Sequence, residues 1–356
     1  PRWSPLAATS AAAALLVLLA AIAWIAWRQA NLVMAIAPLA ALVASLFGLN
    51  MVFGYFVEVR AKRQFTQLFG EYVPPELVDR MVRDPRKYRM YSTEPRNEIL
   101  TVLFADLRGF TTISESLAPH ELRVFLNDYL TAMSQVIHQA GGTVDKYMGD
   151  AIMAFWGAPV ADPEHARHAV TAAVRMQATV ADLRNRMASA GGPALAIGVG
   201  INTGLMNVGD MGSKLRRSYT VLGDPVNLAS RLESLTKYYG VGIILGERTR
   251  EMVPDVVCRE LDRVRVKGKG EAVSIFEPLG LAGEDPAAVA AEMTLWNRML
   301  RAYRGRDWDD AELTLLNLQR LHARTTLYEL YLSRIVRFRS APPPADWDGV
   351  TVFDRK

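Results

Sequence analysis

Two stretches without charged residues open the chain, at residues 6–27 and 32–57. As helices, each is long enough to cross a hydrocarbon core of about 30 Å, and only residues 28–31 separate them. Aromatic residues that favour membrane interfaces lie near the ends of the stretches, at Trp24, Trp27, Tyr55 and Phe56. The pattern predicts a transmembrane helical hairpin over residues 1–58, with a secretory signal peptide as the alternative for the first stretch.

Basic residues follow the second stretch, at Arg60, Lys62 and Arg63. The positive-inside rule therefore predicts a multi-pass protein of the cell membrane, in contact with the lipid bilayer, with the rest of the chain in the cytoplasm. The chain begins at Pro1 rather than Met, so we expect an upstream segment, for which a sensor domain is one candidate.

Residues 59–97 are predicted to form a helical connector. Apolar and aromatic residues recur there at helical spacing, at Phe65, Leu68, Phe69 and Tyr72. Pro74 and Pro75 should end one helix and start the next. The connector either transmits a signal from the hairpin to the following domain or is a purely structural linker.

From residue 98 to residue 280, apolar runs typical of strands alternate with amphipathic patterns typical of helices. The predicted strands cover residues 99–105, 143–148, 151–155, 195–201 and 218–222, with further strands near 241–245, 256–266 and 272–277. Long helices are expected after Pro119, after Pro163 and from Asp224 to Gly240, and a Gly-rich turn region after residue 201. This order predicts an α+β domain with a ferredoxin-like sheet and helices on one face.

Residues 281–356 continue with amphipathic helical patterns. Gly305 and the residues after it break this region into at least two helices, and three consecutive prolines from Pro342 introduce an extended tail. We therefore expect a helical C-terminal extension that ends in this tail.

Composition narrows the function classes. A formal net charge of +4 over 356 residues, without a long basic block, argues against nucleic-acid binding. The single cysteine, Cys258, excludes an intrachain disulfide framework and a multi-cysteine metal site. Any metal chemistry must therefore rest on other side chains.

Two aspartates occupy positions suited to a metal site. Asp106 ends the apolar strand 99–105, and Asp150 follows Gly149 in the tight turn before strand 151–155. If both reach one edge of the sheet, their carboxylates suit Mg²⁺ or Mn²⁺, which take oxygen ligands and keep positions for substrate phosphates. Taken singly, each aspartate is more typical of a strand-end cap or a turn.

Four ordered motifs give the chain a specific resemblance. They are the segments at residues 102–111, 145–150, 222–231 and 266–270. Over residues 96–279 the sequence resembles the catalytic domain of class III adenylate and guanylate cyclases, here as a membrane-anchored, bacterial-type adenylate cyclase. The resemblance implies the ferredoxin-like class III cyclase fold and cyclisation of a nucleoside triphosphate.

The resemblance also implies roles for individual residues. Asp106 and Asp150 match the pair that binds two Mg²⁺ or Mn²⁺ ions per active site. Asn227 and Arg231 match the residues that orient the ribose and stabilise the transition-state phosphate, and a spacing of four places them on one helix face. Lys267 resembles the lysine that binds the β- and γ-phosphates, with Lys269 assisting, although a basic hairpin tip is often only solvated.

The choice of base depends on Lys146 and Thr220. In the family, a lysine and an aspartate or threonine at these positions read adenine, whereas guanylate cyclases have glutamate and cysteine. Lys146 donates and Thr220 can accept a hydrogen bond, so the pair favours ATP. Thr220 departs from the commoner aspartate and resembles a subclass that includes bicarbonate-responsive cyclases.

The predicted function is thus an adenylate cyclase that makes cyclic AMP and pyrophosphate from its ATP substrate in signal transduction. Active sites of this family lie at a dimer interface, and the chain has both sets of site residues, which implies a symmetric homodimer. The alternatives are a guanylate cyclase and a catalytically silent, nucleotide-binding sensor domain of a membrane receptor.

Overall fold

The computed structural model describes residues 5–33, 35–69, 95–188, 195–213, 217–266, 270–279, 286–321 and 325–353. The chain divides into two compact units, Pro1–Lys87 and Tyr88–Lys356. The division falls within the predicted connector of residues 59–97.

The N-terminal unit holds two long helices, α1 (Pro5–Ala30) and α2 (Ile36–Phe69), which pack against each other. Both are long and apolar enough to cross a membrane, over Thr9–Gln29 and Ile36–Phe53, and almost none of either stretch is buried. Exposing apolar area to water costs about 25 cal/mol per Å², so these surfaces favour an apolar surrounding. The two predicted spans are therefore present as two candidate membrane helices.

Helix α2 continues past its candidate span to Phe69, through the first part of the predicted connector. Phe65 and Leu68 thus lie on helical backbone. Tyr72, Pro74 and Pro75 lie outside the described residues, so the predicted break between two connector helices stays a prediction.

The second unit is built on a mixed sheet. Its described strands are β1 (Arg96–Leu107), β2 (Thr143–Met148), β3 (Ala151–Trp156), β4 (Ile197–Gly212), β5 (Arg217–Leu222), β6 (Ile243–Gly246), β7 (Cys258–Val266), β8 (Val273–Pro278) and β9 (Val350–Phe353). They follow the order β2-β3-β1-β4-β6-β8-β7-β9, and β5 pairs with β4. Parallel pairing joins β4 to β6 and β7 to β9, and the other pairs are antiparallel.

Helices follow the predicted order, with short additional ones. They are α3 (Phe110–Ser116), α4 (Pro119–Gln139), α5 (His165–Ala188), α6 (Asp224–Tyr239), α7 (Glu247–Glu251), α8 (Pro286–Arg304), α9 (Trp308–Leu321) and α10 (Thr325–Ser340). Helix α6 starts with a proline in its first turn and ends at Gly240, whose φ of 69° suits the left-handed conformation of a helix C-cap. These two residues define the ends that the sequence predicted for this helix.

Helices cover both faces of the sheet, so the prediction of helices on one face is wrong. Helices α4 and α5 pack on one face, in a core with Leu103, Ala105, Val199 and Ile201. Side chains alternate between faces along a strand, so the Asp106 side chain lies on the opposite face, where α6 packs. Gly198 and Gly200 of β4 occupy positions on this same face. A Cβ on Gly200 would come within 2.2 Å of the backbone nitrogen of Glu233 in α6. The absence of a side chain here allows α6 to approach the sheet closely.

Strand β4 also corrects the predicted turn after residue 201. It runs without a break to Gly212, and its second half pairs with β5. The glycines of this segment serve packing: a Cβ on Gly204 would lie 2.4 Å from the ring of Pro225, in the first turn of α6. Glycine signals a turn in the sequence because it loses the most backbone freedom in a strand, but close contact with a helix outweighs that cost here.

The C-terminal extension is helical, as predicted, and forms an apolar core with α6 and strands β6 to β8. Large aromatic residues fill this core, including Trp296, Tyr328 and Tyr331. The tail, predicted only as extended, contributes β9, which pairs in parallel with β7. The extension is therefore part of the same compact unit as the sheet.

Candidate active site

Asp106 and Asp150 meet at one end of neighbouring strands. Asp106 is the penultimate residue of β1, and Asp150 lies in the turn from β2 to β3, after Gly149. Gly149 has a φ of 72°, a left-handed conformation that glycine adopts without strain. The backbone N–H of Leu107 donates a hydrogen bond to Asp150 Oδ2 at 3.2 Å. The sheet register thus brings together the two carboxylates that the sequence singled out.

Burial and the neighbouring carboxylate disturb the ionisation of Asp106. The pKa of Asp106 is raised to about 7, mainly by burial and further by the hydrogen bond to Asp150, the charge of Asp150 and the charge of Glu233. Like charges at one site disfavour the ionised form, and an added cation would reverse this effect. Within the described part of the chain, no basic side chain forms an ion pair with either aspartate. The pair therefore suits an external cation.

The donor set also limits which metals fit. Among the residues that the structure describes, no group of three or more His, Cys, Asp and Glu side chains is placed to hold a metal ion. Two carboxylates are too few for a closed, all-protein metal site, but they fit Mg²⁺ or Mn²⁺ completed by water and substrate phosphates. The predicted metal residues are thus compatible with a catalytic metal.

Two further charged side chains, missed in the sequence, lie in this region: Glu233 interacts with both aspartates, and Arg108 interacts with Glu233. Glu233 projects from α6 toward β4, where a Cβ on Gly198 would lie 2.9 Å from Glu233 Oε1. Burial raises the pKa of Glu233, the charge of Arg108 lowers it, and the charge of Asp150 raises it. The Arg108 guanidinium donates a hydrogen bond to the carbonyl of Val241. The signal for Arg108 was its position two residues after Asp106, in the turn that follows β1.

The predicted base-reading residues, Lys146 and Thr220, both interact with the side chain of Asp145. The Thr220 hydroxyl donates a hydrogen bond to Asp145 Oδ2, and Lys146 Nζ lies 3.4 Å from Asp145 Oδ1. Thr220 and Asp145 are buried, at 6% and 4% exposure, whereas 46% of the Lys146 side chain is exposed. The structure thus joins β2 and β5 at the two predicted positions through a buried carboxylate that the sequence did not single out.

Asn227 and Arg231 lie on α6, away from its buried side. Leu228, Ala229 and Leu232 are buried against the sheet, whereas Asn227 is exposed and Arg231 half-buried. No hydrogen bond or ion pair joins Asn227 or Arg231 to Asp106 or Asp150 within the described ranges. The structure of one chain therefore leaves these two pairs apart. Lys267 and Lys269 lie outside the described residues, and their roles stay predictions.

Comparison with known proteins places this site in a family. The family model for the adenylate and guanylate cyclase catalytic domain matches residues 92–276. The chain is 41% identical over 189 residues to an adenylate cyclase of Anabaena cylindrica, which covers 50% of this chain and 36% of that protein. It is 34% identical over 214 residues to adenylate cyclase 1 of Rhizobium meliloti (strain 1021), which covers 60% of this chain and 32% of that protein.

A solved structure of a bacterial light-regulated adenylyl cyclase is similar in fold, with a TM-score of 0.50 at 22% identity. The similarity covers 71% of this chain and 67% of that chain. The predicted cyclase fold is confirmed. The chain spans only about a third of the length of the two relatives described above, at 36% and 32%.

Proposed function

The chain belongs to the family of adenylate and guanylate cyclase catalytic domains, and from this premise we propose that it converts ATP to 3′,5′-cyclic AMP and pyrophosphate in signal transduction. The observation that carries the proposal is the meeting of Asp106 and Asp150 at one strand end, where burial and the neighbouring Asp150 raise the pKa of Asp106. The relatives at 41% and 34% identity, both named adenylate cyclases, support ATP as the substrate.

In this proposal Asp106 and Asp150 hold two Mg²⁺ or Mn²⁺ ions per active site. Bound ions supply the positive charge that activates the ribose 3′-hydroxyl and stabilises the leaving pyrophosphate. Asn227 orients the ribose, and Arg231 donates hydrogen bonds to the α-phosphate, where a guanidinium matches the developing charge. Lys267 and Lys269 bind the β- and γ-phosphates.

The adenine base is read by Lys146 and Thr220. Lys146 donates to the ring nitrogen N1, and the Thr220 oxygen accepts from the 6-amino group. Guanine has a protonated N1 and a 6-oxo group, so it offers the reverse pattern to the same two side chains. The measured preference between ATP and GTP therefore separates an adenylate from a guanylate cyclase.

Each active site is shared between two copies of the chain. Asn227 and Arg231 lie on the side of α6 that faces away from the sheet, and no hydrogen bond or ion pair joins them to Asp106 or Asp150 in the described part of their own chain. A symmetric homodimer would bring the α6 of one copy to the carboxylates of the other, and would hold two equivalent sites.

The two N-terminal helices anchor the enzyme as a hairpin in the cell membrane, with the catalytic unit in the cytoplasm. Their exposed apolar surfaces and the basic residues after the second span support this arrangement. Membranes washed with alkaline carbonate should retain the full chain, and a reporter fused after Lys356 should be cytoplasmic. Release of the chain by carbonate would exclude an integral anchor.

The direct test of the proposed activity uses the full chain purified in lipid nanodiscs. We expect cyclic AMP from ATP with Mg²⁺ or Mn²⁺, none after chelation of the metal, and slower turnover of GTP. Cyclic GMP as the main product would make the protein a guanylate cyclase. Tight nucleotide binding without either product, under both metals, would favour the silent sensor domain.

A further inference from the structure

Asp145 is a buried carboxylate placed between the two base-reading side chains. In the pairing of β2 with β3, Val144 opposes Ala154 and Lys146 opposes Met153, so Asp145 is an extra residue in the ladder. A bulge of this kind redirects the side chain of the inserted residue, and bulges are frequent beside active sites. Here the bulged side chain contacts Thr220 on β5.

The contact fixes the direction of the Thr220 hydroxyl. An ionised carboxylate only accepts hydrogen bonds, so the single hydroxyl proton of Thr220 is directed to Asp145 Oδ2. Toward any other partner, that hydroxyl can therefore only accept a hydrogen bond through its lone pairs. A threonine hydroxyl by itself could donate to a 6-oxo group as well as accept from a 6-amino group, but this one is restricted to accepting.

The same carboxylate also interacts with Lys146. Its Oδ1 lies 3.4 Å from Lys146 Nζ. Burial raises the pKa of Asp145, while the hydrogen bond from Thr220 and the charge of Lys146 lower it. Burial is the larger effect on the pKa of Asp145, and the two neighbours act against it in favour of the ionised form.

We infer that Asp145 is a specificity-determining residue, which positions Thr220 as an obligate acceptor and Lys146 as a donor and thereby selects adenine over guanine. The inference rests on the proposed nucleotide cyclase function and deepens it. Asp145 acts through its two neighbours and need not touch the base. If it served only to fasten β2 to β5, its loss would affect both nucleotides equally.

The central variant is Asp145→Asn, which keeps the shape and removes the charge. The Lys146 ammonium attracts the amide oxygen and repels the amide nitrogen, so the Asn NH₂ group should turn toward Thr220. Thr220 then accepts from the amide, and its proton becomes available to a 6-oxo group. We expect the ratio of kcat/KM for ATP to that for GTP to fall about tenfold or more.

Matched variants separate this effect from damage to the fold. Asp255→Asn changes an exposed aspartate paired with Arg167, and it should leave the ratio unchanged. Thr220→Ser keeps a hydroxyl and should retain most of the preference for ATP. Thr220→Val removes the hydroxyl and should lower the ratio, and adding Asp145→Asn to it should produce no further fall, because the two residues act as one unit.

The experiment measures initial rates with full-length chain in nanodiscs, together with calorimetric binding of 3′-deoxy-ATP and 3′-deoxy-GTP, which lack the attacking hydroxyl. A parallel fall in the binding ratio of Asp145→Asn supports the inference. A folded Asp145→Asn chain with the wild-type ratio overturns it. If that variant does not fold, a wild-type ratio in Thr220→Val overturns it instead. A wild-type chain that cyclises neither nucleotide contradicts the proposed function itself, which is a separate outcome.

Discussion

Two groups of carboxylates in the catalytic unit show opposite arrangements. Asp262, in the C-terminal core, accepts hydrogen bonds at its Oδ2 from Tyr239, Arg334 and Thr351, at 2.7, 2.7 and 2.8 Å. Among the residues that the structure describes, Asp106 and Asp150 have one another and the backbone N–H of Leu107. The chain satisfies the first carboxylate from its own residues and leaves the second pair short of positive charge.

This difference in pairing separates carboxylates that stabilise the fold from carboxylates that are available to a ligand. A buried charge that is fully paired within the chain stabilises one arrangement of the core and has nothing left for a ligand. Burial and the charge of Asp150 raise the pKa of Asp106, so ionised Asp106 is costly for the fold and the pair gains from an added cation. Glu277 and Glu292 resemble Asp262 in this respect, because both pair with the buried Arg259. Ion pairing with basic residues thus distinguishes the structural carboxylates of the C-terminal core from the candidate metal ligands Asp106 and Asp150, which burial alone does not.

The largest expected effect is on activity. Asp106→Ala and Asp150→Ala should each lower cyclic AMP formation by about a hundredfold or more while leaving the melting temperature near that of wild type, because the lost charge serves the ligand rather than the fold. The measurement is initial rate at saturating ATP and Mg²⁺, alongside thermal melting. Substantial Mg²⁺-dependent turnover in either variant would refute the assignment of these two residues.

The next effect is on stability. Arg334→Met leaves Asp262 buried without its cation, and it should lower the free energy of unfolding by about 3 kcal/mol. The control is Arg298→Met, which breaks an exposed pair with Asp310 in the same C-terminal helices and should leave stability nearly unchanged. Denaturant unfolding of the detergent-solubilised chain compares the two variants. Equal stability of both would mean that the buried pair contributes no more than the exposed one.

A third effect is on the pH dependence of stability. Without divalent cations, wild-type stability should fall as pH rises from about 4 to about 7, because the raised pKa of Asp106 makes the folded state bind a proton that the unfolded state releases. Asp106→Asn should flatten this part of the profile, and Mn²⁺ should do the same for wild type. Chelated protein melted across this pH range provides the measurement. An unchanged slope in Asp106→Asn would show that the carboxylate pair does not cause it.

The sequence predicted the elements that local patterns define. The apolar run before Asp106 and the glycine before Asp150 were sufficient to place both residues at strand ends, and the ends of α6 followed from Pro225 and Gly240. The glycines of β4 were misread because their role is contact with α6, which lies elsewhere in the sequence. Strand β9 was missed for a related reason, since only its pairing with β7 distinguishes it from an extended tail.

The site was predicted less completely than the fold. Asp106, Asp150, Lys146 and Thr220 came from motifs, and the structure places them in two groups of neighbouring side chains. Asp145 was missed because a bulge in β2 decides where its side chain points, and a strand pattern does not reveal a bulge. Glu233 was missed because its proximity to Asp150 depends on how closely α6 approaches Gly198 and Gly200.

We propose that the active site is incomplete within one chain, because it needs a cation to balance its carboxylates and residues of a second copy to complete it. The most direct measurement is the activity of a purified heterodimer of Asp106→Ala and Arg231→Ala chains, isolated through two different tags. One of its sites inherits both changes and the other inherits neither, so the account predicts about half of wild-type activity, although each parent homodimer is inactive. A folded, nucleotide-binding heterodimer that stays as inactive as its parents would contradict the shared site.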